Sequence, residues 1–187
     1  MANPHSLVNR MIRAAGMEVS LYEEVEADTT ANSQALIAVI IVALATSVGT
    51  GIAGYTVTGL LGLYWGLVAG LAYTLVGWLA WSYITYLLGT TVLKGPNTSA
   101  TWGELVRTIG FAHSPLIFRI LAPVPFVGGP VTFFAFVWAL IAGVIAVRQA
   151  LDISTGRAIA VSVVGWLVYL VIYIAVFLLL WGIKGFF

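Results

Sequence analysis

The chain has 187 residues, of which 61% are hydrophobic and 8% are charged, and its net charge is +1. Soluble domains carry about 25% charged residues, so this composition excludes a water-soluble globular protein and predicts one membrane domain without nucleic-acid binding. The absence of cysteine excludes disulfides, iron–sulfur clusters and thiol catalysis.

The first 33 residues form a polar segment that lacks the apolar region of a cleaved signal peptide. Residues 5–15 place their apolar side chains on one helical face, namely Leu7, Val8, Met11, Ile12 and Ala15. This pattern predicts an amphipathic helix. The helix lies either in the membrane interface, with Arg10 and Arg13 toward lipid phosphates, or packed on the cytoplasmic end of the membrane domain.

Five of the seven acidic residues follow within a short stretch: Glu18, Glu23, Glu24, Glu26 and Asp28. The last four form a candidate cation site, because hard cations prefer several oxygen ligands. Their spacing differs from that of a calcium loop. We therefore favour a solvated acidic turn, or acids that pair with basic groups on the same side, and expect no resident metal or cofactor.

Residues 34–187 predict an all-α integral membrane domain, because their apolar runs are long enough to cross a bilayer. We predict five transmembrane helices, at about 34–55, 65–92, 102–122, 130–151 and 156–181.

Small residues repeat at four-residue intervals in the first two spans. The first span carries Ala45, Gly49 and Ala53, and the second carries Gly62, Gly66 and Gly70. This spacing predicts close helix contacts, either inside the chain or between subunits. Residues 56–66 are either interfacial or the start of a tilted second span.

The third span begins at a predicted capping box formed by Thr101 and Glu104. Pro115 predicts a kink, since it removes a backbone hydrogen bond. His113 falls near the membrane midplane, and Arg119 is within reach of the far interface. The candidate intramembrane polar site comprises His113, Ser114, Pro115 and Arg119.

The fourth span starts near Pro130, which suits the first turn of a helix. It carries small residues on two faces, Ala135, Ala139 and Gly143 on one and Ala142, Ala146 and Ala150 on the other. This arrangement predicts a central position in the bundle. The last span ends at the predicted interfacial anchors Trp181, Lys184 and Phe186–Phe187.

Five spans place six basic residues on one side of the membrane and Lys184 on the other. The six are Arg10, Arg13, Lys94, Arg107, Arg148 and Arg157. The positive-inside rule therefore predicts a multi-pass protein of the inner, cytoplasmic membrane of a cell, with a cytoplasmic N-terminus and an external C-terminus.

The chain resembles a Yip-domain (Ypt-interacting-protein) membrane protein of prokaryotic type. The resemblance covers nearly the whole chain and rests on five spans, the acidic segment Tyr22–Asp28 and the motif Gly110-Phe111-Ala-His-Ser-Pro115. Eukaryotic members carry Gly-Tyr-x-x-x-Pro at this place, so Phe111 replaces a tyrosine. Their Asp-Leu-Tyr-Gly-Pro motif is absent, so the Rab-type GTPase binding of those members is not transferred.

The residue pattern is compatible with three classes of function. The favoured hypothesis is a non-enzymatic interaction, scaffold or membrane-organising protein, whose partners are the lipid bilayer and a membrane protein or second copy of itself. The Gly62–Gly70 face and the amphipathic N-terminus are its predicted partner surfaces. The alternative is a small transporter or ion pathway through His113 and Arg119, since ionisable residues inside membranes mark such pathways.

An enzyme is not expected. The chain has no His-Glu-x-x-His and no Gly-x-Ser-x-Gly motif. The pair Glu23-Glu24 is similar to the paired glutamates of intramembrane proteases, but Asp28 stands where their arginine would follow.

Overall fold

The computed structural model describes residues 4–96 and 98–184, with side chains up to residue 171 and that of Ile174. The predicted anchors Trp181, Lys184 and Phe186–Phe187 therefore have side chains outside the described part. The helices, in chain order, are α1 Leu7–Ala15, α2 Val19–Ala27, α3 Ala31–Thr58, α4 Leu60–Thr90, α5 Trp102–Ala112, a 3₁₀ segment Ser114–Leu121, α6 Gly128–Ala150 and α7 Thr155–Lys184.

The predicted all-α membrane fold agrees with these elements. Three helices, α3, α4 and α6, are long and apolar enough to cross a bilayer, and Thr155–Val171 is a shorter apolar stretch of α7. The predicted number of five spans stays a prediction, because the third span is divided between α5 and the 3₁₀ segment.

Helices α3 and α4 form a hairpin that turns at a single residue, Gly59. The φ of Gly59 is 64°, a left-handed conformation that favours glycine. Helix α4 starts directly at Leu60. Residues 60–66 are therefore helical and continuous with the rest of α4, and the start of the second membrane span near residue 65 stays a prediction.

The glycine face of α4 packs inside this hairpin. A Cβ on Gly62 would lie 2.0 Å from the Gly54 carbonyl oxygen, and one on Gly66 would lie 2.5 Å from the Thr50 carbonyl oxygen. The Thr50 hydroxyl also donates a hydrogen bond to the Gly66 carbonyl at 2.7 Å. Helix α3 thus packs directly on the Gly62–Gly70 face, so this face is not accessible to a partner protein.

The third predicted span breaks where Pro115 stands. Helix α5 begins at the predicted capping box, with Thr101 and Glu104 each accepting from the other's backbone. It ends at Ala112, and a 3₁₀ segment with Pro115 in its first turn follows. Pro115 has no N–H to donate to the Phe111 carbonyl, and the Ser114 hydroxyl donates to this carbonyl at 2.6 Å.

Helix α6 is central, as its two small-residue faces predict. It packs against α1, α2, α5, the 3₁₀ segment and α7. The alanines of one face, Ala142, Ala146 and Ala150, are buried.

The α3–α4 hairpin and the turn between the 3₁₀ segment and α6 end at different heights along α3. The chain reverses between Ala122 and Gly128, beside Gly49, where a Cβ would meet the Arg119 carbonyl oxygen at 2.2 Å. The tip of the α3–α4 hairpin at Gly59 lies ten residues further along α3, about 15 Å beyond that point. The far end of the α3–α4 hairpin therefore projects past the turn between Ala122 and Gly128.

Candidate functional site

The break in the third span places His113 and Arg119 on the wall of one cavity. This cavity has a volume of about 90 Å³ and lies between α4, the 3₁₀ segment, α6 and α7. Most of its wall is aromatic, formed by Tyr73, Trp78, Trp81, Phe136, Trp166 and Tyr169. The polar residues predicted from the sequence thus share a space that is otherwise apolar.

His113 is oriented by its own helix. Its Nδ1 lies 2.8 Å from the Ile109 carbonyl oxygen, so Nδ1 must carry the proton and donate. The ring meets Trp81 edge-on, with centroids 6.5 Å apart. In the neutral ring, Nε2 is therefore left as the acceptor.

Arg119 lies at the mouth of the cavity and is half-buried. Its guanidinium carbon is 5.8 Å from the centre of the Tyr73 ring, the geometry of a cation–π contact. A wider, more open space of about 430 Å³ shares Tyr73, Arg119 and Phe136 with the inner cavity. It extends over the first turns of α6.

The other predicted residues of this region do not line the cavity. Ser114 and Pro115 are buried in the fold. Gly110 faces α3, where a Cβ would lie 3.1 Å from the Cβ of Ala35. Phe111 is completely buried. These motif residues hold α5 against its neighbours.

A second group of charges lies at the other end of the bundle, where α1 and α2 pack against it. Arg10 is 1% exposed and pairs with Glu24 at 2.8 Å and Asp28 at 2.7 Å. Arg13 pairs with Glu18 and Glu24. The prediction that these arginines face lipid phosphates was wrong, because α2 supplies the carboxylates that they bind.

The exposed side of α1 is apolar instead. Val8 and Ile12 are 64% and 65% exposed. The alternative prediction, that the helix packs on the end of the membrane domain, matches this arrangement.

Ion pairs and hydrogen bonds change the acidity of Glu24 in α2 and of Asp28, the residue that follows α2. Burial alone would raise the pKa of Glu24, but hydrogen bonds from Arg13, His5 and Arg10 lower it to about 2. Hydrogen bonds from Thr30 and Arg10 lower the pKa of Asp28 to about 2. Both side chains are therefore ionised partners of the arginines.

Glu26 has the opposite environment. Burial raises the pKa of Glu26 to about 7, and the carboxylates of Asp152 and Glu104 act in the same direction while Arg107 opposes them. Glu23 is exposed and accepts a hydrogen bond from the Gln149 amide at 2.8 Å. Within residues 4–96 and 98–184, no three His, Asp or Glu side chains are arranged to hold a metal ion.

Sequence reasoning missed the role of Arg107. This arginine of α5 is buried, and it donates to the carbonyls of Val25 and Glu26 at the end of α2 and to the Asn32 side chain. Trp138 of α6 similarly donates to the Ala15 carbonyl at the end of α1. The sequence does show Arg107 within the apolar face of a capped helix. Its hydrogen-bond acceptors could not be predicted, because they lie far away in the chain.

Comparison with known proteins gives one family. The family model described as the Yip1 domain matches residues 21–181, from α2 to near the end of α7. No significant match is found among curated proteins or among solved structures.

Proposed function

Because the chain belongs to the Yip1 domain family, whose members are non-enzymatic proteins of membrane traffic and interaction, we propose that it is an interaction or scaffold protein that organises membrane partners. The family assignment confirms the resemblance that the sequence indicated. Prokaryotic origin and placement in the inner membrane of a cell remain part of the proposal.

The observation that carries this proposal is the uncovered apolar surface at the projecting end of the α3–α4 hairpin. Val57, Leu60 and Leu61 are 80%, 76% and 63% exposed. Because the glycine face is closed by α3, this tip and the outer face of α1 replace it as the candidate partner surfaces. Apolar patches of this kind serve lipid contact or helix association.

Aromatic residues support a bilayer position for the hairpin. Tyr55, Tyr64 and Trp65 are exposed near its tip, and Tyr83 is exposed near the other end, beside Trp102. Tyr64 and Tyr83 are 19 residues apart in one helix, about 28 Å, close to the thickness of a hydrocarbon core. In this placement five segments enter the membrane from a cytoplasmic N-terminus.

The chain then forms one domain with two layers that meet at residue 33, a cytoplasmic layer before it and a membrane layer after it. Bonds from Arg107, Trp138 and Gln149 to α1 and α2 support this interpretation. Residues 1–33 are the cytoplasmic layer, and 34–187 are the Yip-type membrane region.

The proposal is tested by photocrosslinking in native membranes. A photoreactive side chain at Leu61 should capture a discrete membrane-protein partner or a second copy, identified by mass spectrometry. The same group at buried Val39 is the matched control and should capture only this chain's own helices. Capture of lipid alone at Leu61, together with a partner-free monomer after mild extraction, would contradict the proposal.

The alternative is a small transporter, favoured by the shared cavity of His113 and Arg119. The opposite end of the bundle argues against a continuous pathway, since its core is closed by completely buried side chains such as Leu105, Ile109 and Phe111. Proton or ion flux into liposomes that disappears in His113→Ala would favour transport over the interaction role.

A further inference from the structure

Arg119 is a cation with no Asp or Glu side chain in its half of the described part of the chain. All seven Asp and Glu side chains lie in residues 18–28 or at Glu104 and Asp152. These positions are at the other end of the helices, where α1 and α2 pack. Tyr73 offers the guanidinium an aromatic face, but this contact supplies no negative charge. An anion is the missing partner.

The start of α6 adds hydrogen-bond donors beside this cation. Gly128, Gly129 and Thr132 line the same open space as Arg119. The N–H groups of Gly128 and Val131 donate to preceding carbonyls. The Gly129 N–H has no acceptor among the described residues, and a Cβ on Gly129 would meet nothing within 4 Å. A helix N-terminus with a free N–H favours negative charge.

Two side-chain donors around the cavity are also unsatisfied. The hydroxyl of Thr132 is buried and has no hydrogen-bond partner within the described chain. Trp81, which lines the inner cavity and is 8% exposed, likewise leaves its indole N–H without an acceptor there. Buried donors without partners are rare in folded proteins, so the one in the open space, at Thr132, and the one in the inner cavity, at Trp81, favour a ligand with acceptor oxygens over a pure hydrocarbon.

The inner cavity indicates that the ligand also has an apolar part, in addition to its anionic group. Behind Arg119 the walls are mainly aromatic. A soluble anion would gain nothing from this apolar space, whereas a short stretch of a hydrocarbon chain would fill it. A cationic mouth above an apolar cavity matches an amphipathic molecule.

We infer that Arg119, the first turn of α6 and Thr132 bind the phosphate of a phospholipid from the leaflet at the far end of the bundle, and that one of its acyl chains enters the aromatic cavity. This site does not rest on the proposed partner interaction. It would make a lipid of that leaflet an integral part of the folded bundle.

Native mass spectrometry of the delipidated full-length chain in detergent tests this site. The probes are phosphatidylglycerol, diacylglycerol with the same chains, and inorganic phosphate. Wild type should retain one phosphatidylglycerol, and Arg119→Gln should weaken that binding about tenfold or more, since a charge-assisted contact is lost. Thr132→Val should weaken it several-fold. Arg148→Gln removes an exposed arginine of the opposite end and should bind like wild type.

Three results would overturn the inference. Equal binding by Arg119→Gln and wild type would remove the proposed contact. Full displacement of the lipid by millimolar inorganic phosphate would indicate a site for the free anion. Binding of diacylglycerol as tight as that of phosphatidylglycerol would indicate an apolar cavity that does not recognise the phosphate. Should Arg119→Gln fail to fold, unchanged binding by Thr132→Val decides against the site in the same way.

Discussion

Arg107 of α5 closes the end of α2, with its Nε donating to the Val25 carbonyl at 2.9 Å although the two residues are 82 positions apart. The last carbonyls of a helix have no intrahelical donor and carry a partial negative charge. A buried guanidinium at this position satisfies them and neutralises their field. This contact ties the N-terminal helices to the membrane bundle.

The first prediction concerns this contact. Arg107→Gln should cost about 2–3 kcal/mol of stability, because buried carbonyls lose charge-assisted hydrogen bonds. Hydrogen exchange measured by mass spectrometry should show faster exchange in α1 and α2. Arg148→Gln is the control and should leave exchange in these helices unchanged. Unaltered exchange in Arg107→Gln would mean that other contacts hold the segment.

A second prediction concerns the α3–α4 hairpin. Gly66→Ala should lower the free energy of unfolding by about 1–3 kcal/mol, since its Cβ would lie 2.5 Å from the Thr50 carbonyl oxygen and 2.7 Å from the Gly51 Cα. Both are backbone atoms that cannot move aside cheaply. Denaturation in mixed micelles measures the effect. Gly156→Ala, where a Cβ would meet nothing within 4 Å, is the control and should be neutral or slightly stabilising.

The third prediction is a pH dependence at Glu26. Its pKa is about 7 in the folded chain against a usual 4.5, so the folded state binds more protons between these values. The stability contributed by protonated Glu26 is complete below pH 4.5 and is lost as the pH rises through 7. Glu26→Gln should therefore flatten the decline in melting temperature between pH 5 and pH 8.

A neighbouring variant refines that experiment. Asp152→Asn removes a carboxylate that raises the pKa of Glu26. The decline in melting temperature should then shift to lower pH. Asn is also suited to the φ of 49° at this position, so the backbone should tolerate the change. An identical pH profile in both variants and wild type would show that Glu26 does not titrate in this range.

Acid should release α1, which is the fourth prediction. The pKa values of Glu24 and Asp28 are about 2, below their usual 4.5 and 3.8. Their stabilisation is present above those usual values and is lost as the pH falls through about 2. Cleavage by an acid protease near Gly16, between α1 and α2, should increase steeply from pH 4 to pH 2.

Arg10→Gln provides the comparison for that measurement. It removes the buried partner of both carboxylates, so the α1–α2 turn should already be cleaved at pH 4 and should gain little from further acidification. Equal protection of wild type and variant at pH 4 would argue that α1 is held by its apolar contacts instead.

Features that depend on residues within about one helical turn of one another could be predicted from the sequence alone. The capping box at Thr101 and Glu104 was predicted correctly, and the kink predicted at Pro115 appears as the change from α5 to the 3₁₀ segment, because the partners in each case lie three or four positions away. The glycine repeat at Gly62, Gly66 and Gly70 likewise predicted a close contact, because spacing alone puts small residues on one face.

The groups that those faces contact depend on how the helices pack against one another. Helical periodicity placed Arg10 off the apolar face of α1, but whether it turned to lipid or to Glu24 depended on where α2 packs. The acceptors of Arg107 likewise belong to a segment far away in the chain. The same is true of the difference in height between the α3–α4 hairpin and the turn before α6. The local sequence determines on which face of its helix a side chain lies. Long-range packing determines which group that side chain contacts.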